Sequence, residues 1–205
     1  LPDLTTPGDI STVLEVCPQG YYCPNGTHYN WQPCPSGSYG ASGGLRDAIE
    51  CMPCDAGWYC QGYNLTAPTG LCSAGYYCIS GADRPNPLML NESQCPCDSV
   101  HPILGHACQP GSFCPTGSAS PSMCPAGFYQ DMEAMATCKS CPMGFYCYAN
   151  TSDYTVNVCP KGHYCEMETE HPVQYPCPAG TFSNVTGANN SDVCILCTPG
   201  MYCQG

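Results

Sequence analysis

One short motif recurs along almost the whole chain and sets its pattern of apolar and polar positions. The motif has Cys at position 1, Gly at position 4 and Tyr or Phe at position 6, while position 5 varies freely. Side chains of an extended strand point alternately to its two faces, so this contrast predicts a short strand with the aromatic turned inward. The ten copies begin at Cys17, Cys34, Cys54, Cys72, Cys108, Cys124, Cys141, Cys159, Cys177 and Cys197.

The residues before the aromatic predict a tight turn, as in Cys141-Pro142-Met143-Gly144. Proline fixes φ at the entry of the turn. Glycine supplies the positive φ that a type II turn requires. Seven copies close with a second Cys directly after the aromatic. We therefore expect the chain to leave each turn extended, with the aromatic ring lying over a disulfide as a small local core.

The first sixteen residues follow a different pattern and contain no Cys. Ile10, Val13 and Leu14 fall at helical spacing, with Asp9 as a candidate N-cap, although residues 11–16 are also compatible with a strand or a frayed terminus. A thin scaffold has no core to cover apolar side chains. We therefore expect this arm to dock on a neighbouring subunit.

Composition argues against a conventional hydrophobic core. Val, Leu, Ile and Phe together make 27 of 205 residues, which is below the roughly 20% expected of a chain that folds by burial alone. Cysteine makes 22 residues, an even number that is typical of a disulfide scaffold in an oxidising compartment. The sequence predicts a small disulfide-rich fold: an elongated rod of tandem cysteine-rich repeats with short β-strands and turns and little helix.

Charge and hydropathy exclude some partners. The net charge is −12, with only four Lys and Arg, which is the wrong sign for binding a phosphate backbone. No run of 18 apolar residues predicts a membrane span. The chain begins without Met and without a signal peptide, so we expect a processed or partial chain whose secretion signal has been removed.

Six Asn-x-Ser/Thr sequons add to the expectation of a secreted, N-glycosylated protein at the cell surface or outside the cell. Each lies between cysteines in a segment that resembles a loop, from which a glycan can project. The acceptors are Asn25, Asn64, Asn91, Asn150, Asn184 and Asn189.

Cysteine spacing groups the motifs into larger units. Six cysteines of residues 34–78 recur in residues 124–165, and five of them are offset by a constant 87 positions. The segment 79–107 breaks the pattern with several prolines and an irregular Cys95-Pro96-Cys97, and it predicts a junction. The predicted segments are an arm (1–16), a partial repeat (17–33), a cysteine-rich repeat (34–78), an irregular junction with a partial repeat (79–123), a cysteine-rich repeat (124–176) and a C-terminal partial repeat (177–205).

The run Cys177-Pro-Ala-Gly-Thr-Phe182, with Cys194-Ile-Leu-Cys197-Thr-Pro-Gly-Met-Tyr202, closely resembles the ephrin-receptor-like cysteine-rich repeat. The six-cysteine spacing also resembles the tumour-necrosis-factor-receptor module. The resemblance covers residues 17–78 and 108–205. It implies an extracellular rod held by disulfides, without catalytic activity.

The receptor-like resemblance also implies a crossed disulfide pairing. Carried over, it links Cys34–Cys51, Cys54–Cys72, Cys60–Cys78, Cys124–Cys138, Cys141–Cys159, Cys147–Cys165 and Cys177–Cys194. Cys95–Cys108 and Cys97–Cys114 would satisfy the junction. The chain has five residues between the third and fourth cysteines of a unit, where the receptor module has fewer. Local closure of each motif is therefore the open alternative, although it requires a Cys95–Cys97 bridge that normal disulfide geometry disfavours.

Crossed pairing leaves two cysteines over at each end of the chain: Cys17 and Cys23, and Cys197 and Cys203. These four residues predict intersubunit disulfides, with the protein binding itself head to tail through residues 1–23 and 194–205. A head-to-tail contact that does not close into a ring produces a filament.

No constellation predicts catalysis or a cofactor. Cys95, Cys97, His101, His106 and Cys108 have the residue types of a zinc site, but an oxidising compartment favours disulfides over thiolates. We expect no metal, no cofactor other than N-linked glycans, no enzymatic activity and no membrane insertion. The predicted function is a structural subunit of an extracellular filament or surface coat; the alternative is the ligand-binding ectodomain of a cell-surface receptor.

Overall fold

The computed structural model describes residues 15–87 and 104–203. Within them the chain forms short antiparallel strand pairs, turns and two 3₁₀ segments, Ala48–Glu50 and Ser191–Val193, and it contains no α-helix. This confirms the predicted fold class of small cysteine-rich repeats with short strands and little helix. The predicted N-terminal arm lies almost entirely outside the described residues.

Each motif opens one structural repeat, which runs from its first Cys to the residue before the next motif. Each repeat is a hairpin, because positions 5 and 6 of the motif pair with the two residues that precede the following motif. Repeats 7 and 8 make the same contact through single bridges, Phe145 with Val158 and His163 with Pro176. The repeats span residues 17–33, 34–53, 54–71, 72–107, 108–123, 124–140, 141–158, 159–176, 177–196 and, for repeat 10, 197 onward.

Repeats 1–6 and repeat 9 each contain one two-stranded antiparallel sheet, seven sheets in all. The strands are β1 Tyr21–Tyr22, β2 Gln32–Pro33, β3 Ser38–Tyr39, β4 Met52–Pro53, β5 Trp58–Tyr59, β6 Gly70–Leu71, β7 Tyr76–Cys78, β8 Gly105–Ala107, β9 Ser112–Phe113, β10 Ser122–Met123, β11 Phe128–Tyr129, β12 Lys139–Ser140, β13 Thr181–Phe182 and β14 Ile195–Leu196.

The predicted turn is present in all ten motifs. The N–H of position 5 donates to the carbonyl of position 2, as from Trp58 to Asp55 at 3.0 Å. Glycine at position 4 has φ between 79° and 88° throughout. Positive φ at the third residue of a turn is what a type II turn demands.

That glycine also joins each repeat to the next. In repeat 3, the Gly57 N–H donates to the Cys78 carbonyl at 2.8 Å, and the Gly57 carbonyl accepts from the Cys72 N–H at 2.9 Å. The same two bonds recur from repeat 1 through repeat 8. Backbone hydrogen bonds therefore join successive repeats. Because these bonds involve no side chains, the residues between the bonded positions can differ from repeat to repeat.

Each repeat from the second to the ninth also contains a second turn. This turn donates a hydrogen bond to the preceding repeat, and from the third repeat on it packs against the repeat two places earlier. Asn64, for example, donates its N–H to the Cys34 carbonyl of the preceding repeat at 3.1 Å, and its φ is 52°. A Cβ placed on Gly20, two repeats earlier, would overlap the Asn64 carbonyl. We call these residues the linking residues; they are Gly44, Asn64, Gly81, Gly117, Ala134, Asn150, Glu168 and Gly187, all with positive φ.

Contacts between repeats n and n+2 divide the fold into two columns. Odd-numbered repeats form the odd column, even-numbered repeats form the even column, and backbone hydrogen bonds between n and n+1 hold the columns together. Hydrogen bonds between repeats in the described residues reach at most two repeats along the chain. This one-dimensional pattern is that of a repeat rod.

Sulfur takes the place of a hydrophobic core. Fifteen cysteines are buried, and the other buried apolar side chains in the described part of the chain are those of Tyr39, Ala82, Pro87 and Ala188. The expected inward aromatic at position 6 is fully buried only at Tyr39, whereas most of the others are half-buried. These rings are therefore less covered than predicted.

Candidate functional site: disulfide ladder and glycan acceptors

Ten disulfides form a ladder through the described residues. Seven close a motif on itself from position 1 to position 7, and three join position 1 to a Cys that lies 14 or 17 residues further on. The short bridges are Cys17–Cys23, Cys54–Cys60, Cys72–Cys78, Cys108–Cys114, Cys141–Cys147, Cys159–Cys165 and Cys197–Cys203. The long bridges are Cys34–Cys51, Cys124–Cys138 and Cys177–Cys194.

The three long bridges agree with the pairing that the receptor resemblance implies, but the crossed pairs are wrong. The structure contains no Cys54–Cys72, Cys60–Cys78, Cys141–Cys159 or Cys147–Cys165 bridge, since all eight cysteines are paired within their own motifs. The reason is the glycine turn. It reverses the chain and brings the Cα atoms of positions 1 and 7 to 5.7 Å in Cys54–Cys60, well within disulfide reach.

The junction cysteines follow the same rule. Cys108 bonds to Cys114, so the expected Cys95–Cys108 and Cys97–Cys114 bridges are also wrong. Cys95 and Cys97 themselves lie outside the described residues. The larger six-cysteine grouping and the segment boundaries remain a prediction.

The four cysteines expected to join subunits are paired within the chain, as Cys17–Cys23 and Cys197–Cys203. Local closure leaves no thiol at either position for a second chain. The crossed pairing left these four cysteines without partners only because it paired the cysteines of one motif with those of another.

The three long bridges have a local cause that the sequence also contains. Position 7 is not Cys in these motifs but Gly40, Gln130 or Ser183, and all three are buried. Gln130 is fully buried; its Nε2 donates to the Thr137 carbonyl at 2.7 Å, and its Oε1 accepts from the Met132 N–H at 3.1 Å. A small or well-bonded residue thus fills the place of the missing sulfur.

The predicted glycan acceptors lie on the surface. Asn25, Asn64, Asn150, Asn184 and Asn189 are all exposed, and Asn91 lies outside the described residues. Asn64 and Asn150 are linking residues in the same turn of repeats 3 and 7, with φ of 52° and 64°. Asparagine tolerates this conformation better than most residues, so the fold and the sequon favour the same side chain.

Most charged side chains are exposed, and two pairs of a base with a carboxylate form between residues of the same repeat. Lys139 donates to Asp131 at 2.5 Å, and this hydrogen bond lowers the pKa of Asp131 and raises that of Lys139. Arg84 donates to Asp83 at 2.9 Å, which raises the pKa of Arg84. A further hydrogen bond, from Ser140 to Glu168 at 2.7 Å, links repeats 6 and 8.

No group of three or more His, Cys, Asp or Glu is arranged for a metal ion in residues 15–87 and 104–203. Cys108, one member of the zinc-like set, is committed to a disulfide. His106 instead lines a shallow open groove of about 300 Å³, where its ring stacks 6.4 Å from that of Tyr77. This arrangement contains no nucleophile–base pair.

Exposed aromatic rings are scattered along the rod. Trp31 and Trp58 are 42% and 41% exposed, and Trp31 packs edge-on against Tyr21. Both are therefore partly supported by their own repeats. Among the described residues, none belongs to a helix that is both apolar and long enough to span a bilayer.

Comparison with models of known protein families and with curated proteins finds no match for this sequence.

Proposed function

We propose that the protein is a structural subunit of an extracellular, N-glycosylated filament or surface coat, in which copies associate head to tail. Ten disulfides and a sulfur-lined interior are typical of a secreted or extracellular protein. The likeness of the motif to the ephrin-receptor-like repeat supports a rod that acts by its shape. The exposed sequons support a glycosylated exterior.

One observation carries the proposal: residues 195–202 present several exposed apolar side chains, with Ile195, Leu196, Met201 and Tyr202 between 57% and 85% exposed. The position-6 aromatic of repeat 10, Tyr202, is 85% exposed, whereas the same position in the earlier repeats is buried or half-buried. Leu196 is 81% exposed; of its counterparts in earlier repeats, Met123 is 70% exposed, whereas Leu71 and Val158 are 43% and 42% exposed because the turns of later repeats lie against them. Clustered exposed apolar side chains mark sites of contact with another protein.

We propose that a second copy packs on this exposed apolar surface, which includes Leu196 and Tyr202. The contact uses the regions predicted from the sequence, residues 1–23 and 194–205. Because all four candidate cysteines are paired within the chain, the joint is non-covalent. Addition by the same step at every joint gives a filament and not a closed dimer.

The experiment is negative-stain electron microscopy of the purified glycoprotein at increasing concentration, combined with light scattering. We expect fibres much longer than one chain. The variant Tyr202→Asp places a charge on the exposed apolar surface and should shorten or abolish them. Tyr63→Asp alters an aromatic that is 63% exposed in repeat 3, away from the joint, and is the matched control.

Discrete rods of single-chain mass at all concentrations would overturn the filament and favour the receptor ectodomain. Equal loss of fibres in both variants would show that the joint lies elsewhere.

A further inference from the structure

The two columns of repeats have different surface chemistry. Every described glycan acceptor belongs to an odd-numbered repeat: Asn25 to repeat 1, Asn64 to repeat 3, Asn150 to repeat 7, and Asn184 and Asn189 to repeat 9. No acceptor in an even-numbered repeat lies in the described residues. Asn91, in repeat 4, lies outside them and carries no part of the argument.

Charge follows the opposite distribution. All four basic residues of the chain belong to even-numbered repeats: Arg46, Arg84, Lys139 and Lys161. The odd-numbered repeats contain no Lys or Arg, and their acidic residues are Asp55, Asp153 and Asp192. The described acidic residues of the even repeats are Asp47, Glu50, Asp83, Asp131, Glu133, Glu166, Glu168 and Glu170.

The columns are continuous surfaces, because side chains of alternate repeats touch. In the odd column, Asn64 Nδ2 donates to the Tyr21 hydroxyl of repeat 1 at 3.0 Å. Leu71 of repeat 3 lies against Gly117 of repeat 5, since a Cβ added there would meet its Cδ2 at 3.0 Å. In the even column, Ser140 of repeat 6 donates to Glu168 of repeat 8 at 2.7 Å.

We propose that the rod has two faces, a glycan-bearing face formed by the odd column and a charged face, without a glycan acceptor among its described residues, formed by the even column, and that a second copy of this chain packs side by side on the charged face. This rests on the proposed function, to which it adds a lateral contact beside the end-to-end one.

The distribution of charge indicates that the partner bound to the charged face is a second copy of this chain. A contact between identical surfaces can form ion pairs only where both signs are present on one face, and only the even column has both. Apolar side chains are exposed on both columns; those of the even column include Ile49, Met167 and Val173, which are 89%, 58% and 64% exposed, so contact there buries apolar area as well. N-linked glycans are bulky and hydrated, and they keep the odd column apart from its neighbours.

The linking residues provide a matched pair of variants. Ala134→Asn with Ala136→Thr creates a sequon in repeat 6, in the turn where Asn64 and Asn150 stand in repeats 3 and 7; Ala134 already has φ 57°. Gly117→Asn with Ala119→Ser creates a sequon at the equivalent turn of repeat 5, in the odd column. Ala134→Asn alone and Gly117→Asn alone have no sequon and control for folding; the second is needed because a Cβ on Gly117 would meet Leu71 Cδ2 at 3.0 Å.

The secreted glycoproteins are compared by glycopeptide mass spectrometry, sedimentation and electron microscopy. We expect occupancy at the five odd-column acceptors of the natural sequence. The repeat 6 glycan should weaken lateral association at least tenfold, an effect reversed by enzymatic removal of the glycan, whereas the repeat 5 glycan should leave it unchanged.

Unoccupied acceptors, or equal effects of the two new glycans, would overturn the two-faced rod while leaving the filament in place. Pairs that form without fibres and respond only to the repeat 6 glycan would overturn the filament and support the charged face. A protein that never self-associates would overturn both.

Discussion

At the scale of single residues, two kinds of glycine share the same unusual backbone for different reasons. Gly26 and Gly75 have φ of 83° and 86°, so both occupy the left-handed region. A Cβ on Gly26 would meet nothing within 4 Å, whereas one on Gly75 would overlap the carbonyl oxygen of Ala134. Of these two, only Gly75 is therefore required for close approach of alternate repeats.

We predict that Gly75→Ala destabilises the protein more than Gly26→Ala. The control loses about 1–2 kcal/mol from backbone strain alone. Gly75→Ala adds the cost of forcing two backbones apart, about another 1–3 kcal/mol. Chemical unfolding without reductant measures both, and similar losses would contradict the n to n+2 packing.

The Lys139–Asp131 pair gives a pH dependence at the same scale. Hydrogen bonding lowers the Asp131 pKa below its ordinary value of 3.8 and raises the Lys139 pKa above 10.5. The Asp131 carboxylate stabilises the folded state above about pH 3.8, and this stability is lost as the pH falls through its lowered pKa. The Lys139 ammonium stabilises the folded state below about pH 10.5, and this stability is lost as the pH rises through its raised pKa.

Asp131→Asn should therefore lower the melting temperature slightly near pH 7 and converge with the unchanged protein in strong acid. The effect is small because both side chains are exposed and screened by water. Thermal melts from pH 2 to pH 9 measure it, and a difference that persists undiminished at pH 2 would assign the effect to something other than this pair.

At the scale of elements, the unit is a glycine turn, a two-residue strand pair and one disulfide. Each hairpin is too short to be stable alone. The bridge shortens the unfolded loop, and the backbone bonds of the glycine connect the hairpin to the next one. The hairpin and its bridge thus stabilise each other.

Loop length should rank the bridges. In the chain-entropy model, removing Cys54–Cys60, with a separation of 6 residues, costs about 2 kcal/mol, and removing Cys34–Cys51, with a separation of 17, costs about 3 kcal/mol. Double Cys→Ala variants at each bridge, unfolded thermally, test the order. The reverse order would indicate that strain or packing, and not loop entropy, governs the ladder.

At the scale of the whole molecule, cohesion is local along the chain. Hydrogen bonds among described residues join repeats one or two apart, so stability is close to a sum over neighbours. Such a rod has no distant contact through which damage at one place spreads to the other end.

We predict that removing the Cys159–Cys165 bridge loosens repeats 6–10 and spares repeats 1–4. Replacing both cysteines with Ala and following amide hydrogen exchange by mass spectrometry gives protection repeat by repeat. Uniform loss of protection would show instead that the ladder unfolds as a single cooperative unit.

The sequence by itself determined the local structure: the turn, the short strand, the sulfur interior and the exposed sequons. These depend on residues within one motif, where Gly at position 4 permits one backbone and the spacing sets the rest. The bridge between positions 1 and 7 is local as well, but the sequence left it as the alternative to crossed pairing, because it required a Cys95–Cys97 bridge that disulfide geometry disfavours.

Only the tertiary structure decided which repeats meet. That Asn64 lies beside Tyr21, and Glu168 beside Ser140, depends on how much the chain rotates from one repeat to the next, and that rotation accumulates from many small backbone angles that no motif specifies. Because alternate repeats stack, the described glycan acceptors of the odd-numbered repeats and the Lys and Arg residues of the even-numbered repeats belong to different columns, and hence to the two proposed faces. The physical reason is that sequence order is one-dimensional, whereas a face is made by residues two repeats apart.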